Sequence, residues 1–141
     1  MANVIPFAFR GELFTGTHNF ASGGDSFKLA LYTSNPYDTS STVYSATSEV
    51  SASGGSNYTA AGNALTGNAV VAATAVASCD FADTTWTSAT ITARGALIYN
   101  NTKSNASIAV LDFGSDFTST AGTFTVQFPA VTDTQAILRI A

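Results

Sequence analysis

Apolar and polar residues alternate with a period of two through most of this chain, and that alternation predicts strands. Between 27 and 33, Phe27, Leu29 and Leu31 alternate with Lys28, Ala30 and Tyr32, the pattern of a half-buried strand. The longest such pattern runs from Thr85 to Asn100. It places Ala89, Ile91, Ala93, Leu97 and Tyr99 on one face, with Thr90, Thr92 and Arg94 on the other. Gly95 interrupts it, where a bulge or a close sheet contact is the usual reason. The loop Asn100–Asn105 then turns the chain back into a strand over 106–113. Phe124, Val126 and Phe128 alternate with Thr125 and Gln127 before Pro129 stops the run, and Ile137, Leu138 and Ile140 close the chain.

Weaker patterns predict short strands near 43–50 and 58–65, with Ser53-Gly54-Gly55-Ser56 between them. Residues 69–81 could be helical by length, but their Val and Thr content and the flanking Gly67 favour strand. Residues 34–42 and Gly114–Gly122 carry turn and loop signals. A helix is predicted only at 5–16: Pro6 suits its first turn, Phe9 and Leu13 fall four apart on one face, and Gly16 would end it. Roughly seven to nine short strands, with turn signals about every 8–12 residues, predict an all-β fold. The expected architecture is a single-domain antiparallel β-sandwich, jelly-roll-like. Residues 1–20 would form an N-terminal arm or short helix and residues 21–141 the sandwich.

Composition changes the picture by removing chemistries. The 141 residues include only five basic and nine acidic side chains and one histidine, against 45% hydrophobic residues. Disorder needs the opposite balance. A net charge of −4, with Arg10, Lys28, Arg94, Lys103 and Arg139 scattered, argues against direct binding of nucleic acid. Cys79 is the single cysteine, which excludes an internal disulfide and a multi-cysteine metal site. No run approaches the ~20 apolar residues of a membrane span. Met1 to Phe9 has no basic n-region and does not read as a signal peptide.

The candidate chemistry is thin. His18, with Asp25 the nearest acid downstream, is the one base available to a nucleophilic site, yet no Gly-x-Ser-x-Gly elbow exists and a local hydrogen bond explains it as well. Asp80/Asp83 and Asp112/Asp116 are carboxylate pairs that turn formation accounts for. Gly23-Gly24 and Gly54-Gly55 lack the spacing of a phosphate-binding loop. Loop aromatics such as Tyr37, Tyr44 and Tyr58 leave a carbohydrate-binding attachment module open as an alternative. The expectation is no catalytic residue, no metal and no cofactor.

Several strings recur in an order that resembles the small virion structural proteins of tailed bacteriophages. They are Glu12 to Phe20, Gly24 to Thr33, Glu49-Val50, Asn57 to Asn63, Trp86 to Tyr99, Ala109 to Gly114, Gly122 to Val126 and Ala136 to Ala141. The resemblance implies a β-rich, non-enzymatic subunit made in the bacterial host cytoplasm and built into the virion. The capsid surface is the favoured station, as a cement or decoration protein on the major capsid protein; neck or tail is the alternative. Low charge and small residues suit a homo-oligomer, most naturally a trimer. Val4, Ile5, Phe7 and Phe9 make the N-terminal segment costly to leave in water. They are the candidate partner contacts, unless the segment docks on its own sheet.

Overall fold

The computed structural model describes residues 3–72 and 75–141, and within them one helix and seven strands form two antiparallel sheets. Strand β1 (Phe27–Tyr32), the two-residue β2 (Asn63–Ala64), β5 (Thr84–Asn100) and β6 (Ala106–Val126) make the larger sheet, in the order β2-β1-β5-β6. Strands β3 (Ala69–Ala72), β4 (Ala77–Asp80) and β7 (Leu138–Ile140) make the smaller, in the order β3-β4-β7. One apolar cluster joins them: Phe27, Leu29 and Leu31 of β1 share it with Cys79 of β4, and Leu138 of β7 packs against it. The all-β single domain expected from the alternation is what the structure shows.

Alternation dictates which side of β1 meets that core. Phe27, Leu29 and Leu31 enter it, while Ala30 and Tyr32 point the other way into a second cluster with Leu97, Tyr99 and Val110. Both faces of β1 are therefore covered. Strand β5 is central, pairing with β1 from Gly95 to Asn100 and with β6 along its whole length.

Gly95 changes the phase of β5, and here the structure corrects the sequence reading. The register to β6 shifts between Ala93 and Gly95. Trp86, Ala89, Ile91 and Ala93 face the main core before the shift, and Ala96 and Ile98 after it; Leu97 and Tyr99 lie on the opposite side. A one-residue slip moves every later side chain to the other face. A Cβ at Gly95 would lie 2.6 Å from the Leu111 carbonyl oxygen and 2.9 Å from Asn35 Nδ2, so only glycine fits.

Four further expectations are corrected. Residues 43–50 form no strand, only single bridges of Val43 with Ala106 and of Glu49 with Tyr32. Of 58–65, only Asn63–Ala64 is strand. Gly114–Gly122 is no turn, since β6 runs through it, paired to the outer half of β5. The helix, α1, spans Phe7–Phe14 rather than 5–16; Pro6 stands at its N-cap, and Gly16 follows it at a φ of 64°.

Residues 3–20 are not a detached arm. Val4 exchanges two backbone hydrogen bonds with Val110, at 3.0 and 2.9 Å, and Phe7 N–H donates to the Thr39 carbonyl at 2.8 Å. Phe20 stacks on Phe27 with ring centroids 4.6 Å apart.

Candidate functional site

His18 sits at the junction of α1 and the larger sheet with its side chain buried. Asn100 Oδ1 accepts from the Thr102 and Lys103 N–H groups, so its Nδ2 donates to His18 Nδ1 at 2.9 Å and to Asp25 Oδ2 at 2.8 Å. With Nδ1 accepting, His18 carries its proton on Nε2 and donates it to Glu12 Oε2 at 2.6 Å. Both ring nitrogens are committed, and the imidazole ties α1 to the end of β5. Asp25 meets His18 only through Asn100. Burial by itself would raise the Asp25 pKa, but the Asn19 N–H, the Asn100 amide and the Lys103 charge outweigh it, and its carboxyl is held below the ordinary range.

The remaining carboxylates named from the sequence are engaged at turns and strand ends. Asp80 Oδ1 accepts from the Phe81 N–H, Asp83 Oδ1 from the Phe128 N–H and Asp112 Oδ1 from the Gly114 N–H. Asp116 pairs with Arg94 across the hairpin at 3.1 Å. Neither pair faces a cleft with its partner. Among the described residues, no three His, Cys, Asp or Glu side chains gather as a metal site. No helix there is long and apolar enough to cross a membrane.

All five tyrosine hydroxyls come from the long 33–62 connection or bond to it, Tyr32, Tyr37, Tyr44 and Tyr99 at the second cluster and Tyr58 in the main core, an arrangement the sequence did not signal. Glu49 accepts from Tyr44 and Tyr58, both at 2.7 Å, and Tyr58 also accepts from the Leu31 N–H. Tyr32 donates to the Ser45 carbonyl, and Tyr37 accepts from the Ser45 N–H. Tyr99 donates to the Ala61 carbonyl at 2.6 Å. Stacking occupies the rings as well: Tyr44 on Tyr99 and Tyr58 on Trp86. Tyr37 and Tyr58 are buried and Tyr44 half-buried. The hydroxyls of Tyr37, Tyr44 and Tyr58 pin loops, so these residues offer no open platform for a sugar.

The surface also carries several large apolar side chains. Of the N-terminal candidates, Val4 packs beside the second cluster and Phe9, 2% exposed, belongs to the main core, so neither is free for a partner. Ile5 and Phe7 do face outward. Phe7 is 61% exposed and Phe14 94% exposed on α1, joined by Ile140 at 64% and Val70 at 55% on the smaller sheet. Between helix and sheet lies a groove of about 330 Å³, lined by Ile5, Phe9, Leu13, Val70, Leu138 and Ile140, with Arg10 and Arg139 at its margin. The sequence singled out Ile5 and Phe7, which are exposed, and gave no sign that Phe14, Val70 and Ile140 would be. Exposure depends on how the elements pack, which is a tertiary fact.

Compared with known proteins, the chain matches no family model, no curated protein and no solved structure. The exposed apolar band therefore has to be interpreted on its own chemistry.

Proposed function

We propose that this protein is a non-enzymatic structural subunit of a tailed-bacteriophage particle, a capsid cement or decoration protein that binds the major capsid protein and stabilises the head shell. The observation that carries the reading is the exposed apolar surface of Phe7 and Phe14 on α1 and of Val70 and Ile140 on the smaller sheet, the latter two lining the groove. Contiguous exposed apolar surface on a folded domain marks a protein or membrane contact. The resemblance of the sequence strings to small phage virion proteins supports the same reading. The hydrogen-bonded tyrosines and the two-sided burial of β1 give a stiff body behind the band, which a staple across capsomer joints requires. A standard contact buries ~1,600 Å² in total, and repetition over a symmetric shell makes modest affinities add up.

Quantitative mass spectrometry of purified particles tests it. A cement protein is present in stoichiometric proportion to the major capsid protein. A few copies per particle would move the chain to the neck or tail, and absence from the particle would overturn the virion reading.

A further inference from the structure

The band carries a charge pattern that says what kind of surface covers it. Phe7, Arg10, Gly11 and Phe14 are spaced so that they share one face of α1. That face is open, and the groove adjoins it on the Arg10 side, since Arg10 also lines the groove. Arg10 holds its guanidinium carbon 4.5 Å from the centre of the Phe7 ring. No acidic side chain lines the groove, and among the described residues neither Arg10 nor Arg139 forms an ion pair. Arg139 spends its guanidinium on the Asp133 carbonyl at 2.8 Å, whereas Arg10 has only the Phe7 ring.

Gly11 adds an independent observation. Glycine is disfavoured inside a helix, and a Cβ at this position would meet nothing within 4 Å. Nothing inside the chain calls for it. Between Phe7 and Phe14 on the open face, a missing side chain lets another backbone come close.

We infer that this face is a docking groove for an apolar segment of a different protein, one that carries a carboxylate to meet Arg10. Symmetric pairing of two copies through the patch would bury two Arg10 guanidiniums with no acidic side chain among the groove's lining residues to meet either of them. A partner with a carboxylate instead turns Arg10 into a central anchor, ringed by Phe7, Leu13 and Phe14. The inference rests on the reading of the band as a contact surface and adds the chemistry of its partner.

The test uses the full chain and two fluorescent amphipathic helical peptides. Both have leucines at i, i+3, i+4 and i+7; one carries Glu beside the leucine stripe and the other Lys at the same positions. The expected result is that the Glu peptide binds about tenfold more tightly than the Lys peptide, a difference typical of one close charge pair at an interface. Arg10→Glu should invert that preference. Gly11→Leu should abolish binding of both peptides while the melting temperature holds or rises, a separation that a merely structural role for Gly11 would not produce. Equal binding of the two peptides, or none, overturns the inference, as does light scattering that shows a dimer which Phe14→Asp dissociates. These outcomes are independent of whether the chain is found in particles, so failure here and failure of the virion reading are told apart.

Discussion

Tyr32, Tyr37, Tyr58 and Tyr99 are all nearly inaccessible to solvent, and burial pushes every one of their hydroxyls up, Tyr99 to about 12. A phenol whose folded pKa exceeds its ordinary value of about 10 holds its proton more tightly in the fold. Stability is therefore intact below about pH 10 and is lost as the pH rises beyond it, by ~1.4 kcal/mol per unit for each such group. Four groups acting together predict that stability falls as the pH rises beyond about 10, so tyrosinate absorbance and loss of circular dichroism should appear in one alkaline step. Gradual ionisation with the fold retained to about pH 12 would contradict the burial of these side chains. Gly95→Ala sets a Cβ against the Leu111 carbonyl and should cost about 1–3 kcal/mol in denaturant titration. At this scale the sequence shows which residues are apolar, and it marks Gly95 as an irregular position. It does not show that the tyrosines converge, because Tyr32 and Tyr99 sit in strands while Tyr37, Tyr44 and Tyr58 sit in loops that only the folded chain brings to them.

Strands were legible where their own side chains alternate and illegible where a neighbour decides. Strand β1 and the start of β5 follow their alternation. The segment Gly114–Gly122 looks like a turn because it is rich in Gly, Ser, Asp and Thr, yet pairing with the outer half of β5 holds it extended, with Thr92 meeting Thr118 at 3.0 Å. Residues 43–50 look like a strand because Val43, Tyr44 and Val50 are residue types that favour strands, but Tyr44 is held by Glu49 and Tyr99 instead. Ile91 faces the core, so Ile91→Ala should destabilise the protein by about 2–5 kcal/mol; a near-neutral shift would mean that β5 faces the other way. The helix offers a sharper contrast. Phe9→Ala should cost about 3–5 kcal/mol because it empties a core site, whereas Phe14→Asp should leave the melting temperature nearly unchanged. Removing residues 1–9 therefore destabilises the domain as well as altering its surface.

For the whole molecule, the sequence predicts a packing module, and the structure shows exposed apolar side chains on α1 and on the smaller sheet, which we propose as its contact surface. Cys79 borders that groove from the core side, its thiol pushed up to about 12 by burial, so thiol reagents at neutral pH should modify it only on unfolding. The account's central claim is that the α1 band is the surface by which this subunit is built into a particle. An electron cryomicroscopy map of the intact particle tests it most directly. The account predicts density for this chain in a regular lattice over the head shell, with Phe7, Arg10 and Phe14 turned toward the major capsid protein. Density with α1 turned to solvent, or no density for the chain anywhere in the particle, would contradict it.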